Sequence, residues 1–109
     1  MLLDGERWEP ISSQYQIIVS KQHCFNTDTI LLAHFASPRR KDCCADFGTG
    51  CGTIPLIWSS RYMPRHIYAV ELQDNACSME QRTLKKNNLE ANITLIHQDL
   101  TTLKPGLAP

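Results

Sequence analysis

Three glycines at alternate positions, Gly48, Gly50 and Gly52, stand inside "CCADFGTGCGTIPL", between a short apolar run and a longer one. Glycine weakens strands and helices alike, so three of them so close together need a use that outweighs the lost backbone order. The run before them, "CCADF", is apolar on both faces apart from Asp46 and suits a strand buried inside a parallel sheet. The run after them carries apolar residues at 54, 56, 57 and 58. Pro55 fits only a first helical turn, where its missing N–H has no partner to lose, so the helix starts near Gly52. The unit is strand, glycine turn, helix, and its backbone can pass close beneath a ligand.

The flanking sequence extends this pattern. "YQIIV", Tyr15 to Val19, is β-rich and short, an edge strand or one arm of a hairpin. A helix is expected from Thr29 to Ala36, capped by Thr27 or Asp28, burying Ile30, Leu31, His34 and Phe35 and stopping before Pro38. "HIYAVEL" reads as a second buried strand ending at Glu71. Asp74 to Asn88 reads as a helix with Leu72, Ala76, Met79 and Thr83 inward, Lys85 and Lys86 at its dipole's negative end, and Asn87 or Asn88 as left-handed cap. "ITLIHQD" is a third strand, ending at Asp99. The order β-α-β-α-β with short connections implies an α/β fold with a parallel sheet and right-handed crossovers.

At 109 residues the chain suffices for one small domain, and 42% hydrophobic with 20% charged residues is globular composition. A net charge of zero leaves no overall attraction to nucleic acid or membrane, so an RNA contact needs a local patch. Arg39, Arg40 and Lys41 are the one run of three positive charges, and a solvated loop explains them. Five cysteines without a C-x-x-C pair, after an N-terminus lacking a basic, apolar leader, point to reduced thiols in the cytoplasm. No run is long enough to span a bilayer. The four histidines lack metal-site spacing, so no metal is expected.

In such a sheet, ligands bind beyond the carboxyl ends of the strands, and here those ends carry Asp46 with Gly48, then Glu71, then Asp99. A carboxylate after the second strand can accept both hydroxyls of a ribose. One after the third can accept an adenine amino group. Dinucleotide sites favour G-x-G-x-x-G, which sets a pyrophosphate on the helix dipole. This chain has G-x-G-x-G behind an acid and no basic residue in the loop, which suits a ligand with an ammonium group and disfavours an NAD-dependent oxidoreductase.

"DFGTGCG", "AVELQ" and "IHQDL" resemble the first three cofactor motifs of class I S-adenosylmethionine-dependent methyltransferases. "HCFNTDTILLAHFA" looks like the F-x-x-D-x-x-L-L segment of the bacterial tRNA adenine-N6 methyltransferases acting on valine tRNA, and the resemblance runs from about Tyr15 to Leu100. It implies a Rossmann-like sheet with S-adenosyl-L-methionine across the strand ends and tRNA as substrate. Asp46, Gly48, Thr49, Gly50, Gly52, Glu71, Leu72 and Asp99 would line the cofactor, and Thr27 and Asp28 would close over its methionine end. Residues 1–26 would be a strand or hairpin arm, and 27–109 the N-terminal half of the cofactor-binding domain. Cys51, at a variable motif position, reads as a small loop residue facing away.

The family's N-P-P-[YF] tetrapeptide, which follows the fourth strand and binds the target amino group, is absent from these residues. The sheet is therefore expected to be truncated after the third parallel strand, with no catalytic residue present. The resemblance puts the first strand centrally, between the second and the fourth. Without the fourth, "CCADF" offers an unpaired edge for self-association. A protein-glutamine N5 methyltransferase on the same scaffold, or a non-catalytic cofactor-binding fragment, fits the same residues.

Overall fold

The computed structural model describes residues 2–98. Its elements are β1 (Glu6–Pro10), β2 (Gln16–Ser20), α1 (Thr27–Ala36), β3 (Cys43–Phe47), α2 (Thr53–Ile57), β4 (His66–Glu71), α3 (Asp74–Lys86) and β5 (Ile93–His97). β1 and β2 form an antiparallel hairpin, and β3, β4 and β5 a parallel sheet in that order, as the alternating pattern requires. The register sets Asp46 opposite Ala69, and Ala69 opposite Leu95.

Alternation then puts Cys44, Ile67, Ala69, Ile93 and Leu95 on one face of the sheet. These five join a core with Leu56 and Ile57 of α2 and Met79 and Leu84 of α3. On the other face Ala45, Tyr68 and Ile96 are half-buried and Phe47 is exposed. The expectation that Cys43–Phe47 is buried inside the sheet is corrected here: none of its residues is fully buried. Among the described residues β3 pairs only with β4, so it is an edge strand.

The start of α2 follows from its residues. Gly52 caps it at φ 96°, and Pro55 lies in the first turn, as expected. The helix then widens into a π-turn over Trp58–Tyr62, closed by the Met63 N–H donating to the Trp58 carbonyl at 2.7 Å, with Met63 itself left-handed. Nothing in the local spacing announced this widening. Its consequence is positional: the Trp58 indole N–H donates to the buried Ala33 carbonyl at 3.0 Å, and the Tyr62 hydroxyl lies 2.9 Å from His34 Nδ1.

Those two contacts set the orientation of α1 and shift its inner face in part: Ile30 packs on the core and His34 is half-buried, as expected. Ala33 is buried, whereas Leu31 and Phe35 are exposed, Phe35 to 88%. The cap differs too: Asn26, not Thr27 or Asp28, accepts the Thr29 N–H at 3.0 Å.

The hairpin packs on α3. Ile17, Ile18 and Val19 are fully buried in the common core. α3 also satisfies the β2 edge that β1 leaves open. Thr83 Oγ1 accepts the Ile18 N–H at 3.1 Å, and the Asn87 side chain accepts the Gln16 N–H at 3.1 Å and donates to its carbonyl at 2.7 Å. The Arg82 guanidinium grips both oxygens of Glu6 at 2.5 and 2.9 Å and holds that carboxyl below the usual range. α3 ends at Lys86 with Asn88 in the left-handed region, matching the expected cap. Ala76, Met79 and Thr83 face inward as expected, but Leu72 precedes the helix and is 59% exposed.

Candidate functional site

Sheet pairing builds the site. Beyond Phe47 the chain turns over β4: the N–H groups of Gly48 and Thr49 both donate to the Val70 carbonyl, at 2.8 and 3.1 Å. Gly48 and Gly50 take φ of 72° and 61°, and at both the space a Cβ would enter is open. The turn is thus a backbone cradle that any side chain would fill.

Glu71, at the end of β4, holds that cradle. It is 8% exposed, and its Oε1 accepts the Gly50 N–H at 2.8 Å while Oε2 accepts the N–H groups of Gln73 at 2.9 Å and Leu72 at 3.1 Å. Three of about four acceptor sites on the carboxylate are committed to backbone. The residue chosen from sequence as a ribose acceptor is therefore also the latch that ties the glycine turn to the next strand end.

Asp46 lies on the same side. Burial, and secondarily the nearby Glu71 charge, raise its carboxyl above the ordinary range, against a lowering hydrogen bond from Thr49. A cleft of about 290 Å³ is lined by Asp46, Gly48 and Gly50 together with His23, Thr29 and Leu32; Glu71 is not among its lining residues. Thr27 and Asp28 are exposed at the first turn of α1, where Thr29 is the residue that reaches the cleft wall. Cys51 is buried in the core and also lines the cleft, so the expectation that it faces away is corrected here.

The third strand arrives alongside. His97 pairs with Glu71 in the register, its Nε2 lies 2.8 Å from Asp74 Oδ1, and the Gln98 N–H donates to the Glu71 carbonyl at 2.9 Å. Asp99 lies outside the described residues. Among the described residues no group of His, Cys, Asp and Glu is placed to hold a metal, and no helix is long and apolar enough to cross a membrane.

Sequence reasoning missed Glu80. It is wholly buried beneath the turn, with Gly52 so close that a Cβ there would sit 2.9 Å from Oε1. Its signal was available: residue 80 falls on the stripe formed by Ala76, Met79 and Thr83.

A parallel sheet with a glycine turn and acidic strand ends on one side defines the α/β, Rossmann-like fold of class I methyltransferases. Solved structures agree: M. jannaschii TYW2 in complex with AdoMet superposes with a TM-score of 0.76 at 15% identity, over 94% of this chain and 48% of that one. The complex of aTrm5 and tRNALeu gives 0.73 at 18%, over 92% and 30%. The chain belongs to the methyltransferase small domain family, whose model matches residues 15–105. The tRNA1(Val) (adenine(37)-N6)-methyltransferase of Glaesserella parasuis is 33% identical over 79 residues, 72% of this chain. The chain spans 34% of the length of that relative.

Proposed function

We propose that this chain is the S-adenosyl-L-methionine-binding part of a methyltransferase that modifies an adenine N6 amino group in tRNA. The observation that carries the reading is the 2.8 Å bond from the Gly50 N–H to Glu71, which ties a strand-end acid to the open glycine turn that lines one cleft together with the half-buried Asp46. The open Cβ positions at Gly48 and Gly50 fit a ligand lying flat on the backbone. When bound, the cofactor supplies an electrophilic sulfonium methyl group. This chain's residues bind and orient: Glu71 fixes the turn and keeps one acceptor position for a ribose hydroxyl, Asp46 complements the ammonium group, and Thr49, Gly52 and Leu72 frame them. Asp99 would meet the adenine, and Thr27 and Asp28 would shield the methionine end. Transfer would then depend on in-line alignment of the amine lone pair with the methyl group.

The relative acting on tRNA at 33% identity favours RNA over a protein glutamine side chain, the alternative on this scaffold. The N-P-P-[YF] tetrapeptide is not among the 109 residues, so the chain by itself is expected to bind without methylating. Five free thiols accord with a cytoplasmic protein. Calorimetry with S-adenosylmethionine on the native chain and on Glu71→Ala tests the reading: weaker binding by the variant supports it, and equal heats remove Glu71 from the site. In any longer form that carries the tetrapeptide, tritiated methyl transfer to unmodified tRNA, compared with a glutamine-bearing release-factor peptide, decides between the substrates.

A further inference from the structure

Glu80 has no role in the reading above, yet it is the most unusual side chain in the protein. It sits in the middle of α3, wholly buried, and its Oε2 has no hydrogen-bond partner among the described residues. The other oxygen lies 3.5 Å from Thr49 Oγ1, at the long limit of a hydrogen bond. The charged groups that act on it are Asp46 of β3 and Glu71 of β4, and the thiols of Cys51 in the turn and Cys77 on α3 feel its charge in return. None of the ion pairs found among the described residues includes it. Burial first, then the two acids, push its carboxyl up to about 8, so at neutral pH it carries a proton.

Two of its neighbours, Thr49 and Asp46, line the cleft. A buried acid one layer beneath a ligand responds to that ligand's charge, because little water lies between to screen it. A cation above the turn favours the carboxylate, whereas a neutral ligand of the same shape does not.

We propose that Glu80 is a charge sensor beneath the glycine turn, releasing its proton to solvent when a sulfonium ligand fills the cleft and retaining it under the neutral thioether product. This rests on the cleft being the S-adenosylmethionine site. On binding the donor, the carboxyl O–H bond breaks and the proton passes to buffer. Donor affinity therefore rises with pH between the lowered midpoint of the complex and the midpoint of the free protein, where binding releases the proton, while product affinity does not follow. The residue acts through Thr49 and the turn, as a specificity-determining group that helps the spent cofactor leave.

The test is a carbon-13 carboxyl titration of the native chain by NMR, free, with S-adenosylmethionine and with S-adenosylhomocysteine, the Glu80 resonance being assigned by its loss in Glu80→Gln. The donor is expected to lower the Glu80 midpoint by about one pH unit, equivalent to about tenfold in affinity, and the product to leave it in place. Calorimetry in two buffers of different ionisation enthalpy gives the matching readout: the native chain releases more protons on binding the donor than Glu80→Gln does. The ligand's own amino group titrates equally with both proteins and cancels. Binding of the donor with an unmoved Glu80 midpoint overturns the sensor and leaves the cofactor site intact, whereas failure of the donor to bind overturns both.

Discussion

Replacing Glu80 with glutamine should stabilise the protein, and increasingly so as the pH rises. The buried carboxyl keeps its proton to about pH 8, whereas in the unfolded chain it gives the proton up near 4.5. Between those values folding must take up a proton, so stability falls with rising pH by about 1.4 kcal/mol per pH unit at most. At pH 7 the accumulated loss is about 3 kcal/mol, a large share of the roughly 5–15 kcal/mol that a domain has in total. Below pH 4.5 it vanishes, and above pH 8 it levels off. Glutamine fills the same volume and does not titrate, so the variant escapes this loss, while Asp46 and the other acids act alike in both proteins. Urea unfolding at pH 5, 6, 7 and 8 should give a variant advantage that widens by about 1 kcal/mol for each pH unit up to 7. Parallel curves would mean that solvent reaches the carboxyl, and would refute its burial as an uncharged acid.

Gly50→Ala and Gly52→Ala separate binding from stability. At Gly50 the added methyl meets no neighbour and costs about 1–2 kcal/mol for its left-handed backbone, but it occupies the cradle and should weaken S-adenosylmethionine binding at least about tenfold in calorimetry. At Gly52 the methyl strikes Glu80, and urea unfolding should show a loss of about 2–5 kcal/mol, larger than at Gly50. Trp58→Phe deprives the buried Ala33 carbonyl of its donor and should cost about 1–3 kcal/mol; no change in unfolding midpoint would deny that Trp58 docks α1. Phe35→Glu tests self-association through the exposed apolar residues of α1: sedimentation should show less oligomer than the native chain, and identical profiles would exclude that face.

What the sequence disclosed was whatever nearest neighbours along the chain decide. Pro55 could belong only to a first turn, and alternation of strand and helix patterns could give only a parallel sheet, so both were legible. The inner face of α1 was legible only in Ile30 and His34. Ile30, Leu31, Leu32, Ala33 and Phe35 cover most of the helix, leaving periodicity without a direction, and the choice falls to Trp58 bonding with Ala33 twenty-five residues away. Its cap was ambiguous because Asn26, Thr27 and Asp28 are all capping types in succession. The hairpin was legible from one arm, Tyr15 to Val19, while the bounds of β1 were not, because its Glu6, Arg7 and Glu9 give little apolar signal; a tertiary pair with Arg82 gives Glu6 its place. In the site, Asp46 and Glu71 were found as strand ends, but the bond that makes Glu71 a latch joins residues 21 positions apart. Glu80 was passed over because an acid in a helix is ordinarily a solvated residue.

The central claim is that the glycine turn and the acids at the strand ends form one adenosyl site. Titrating the nitrogen-15-labelled chain with S-adenosylmethionine and following each backbone amide tests it most directly. The account requires saturable shifts centred on Gly48, Thr49, Gly50 and Leu72, weakened in Glu71→Ala. Shifts confined to the separate cleft of about 270 Å³ around Phe25, Ser60 and Arg61, or none at saturating ligand, would contradict it.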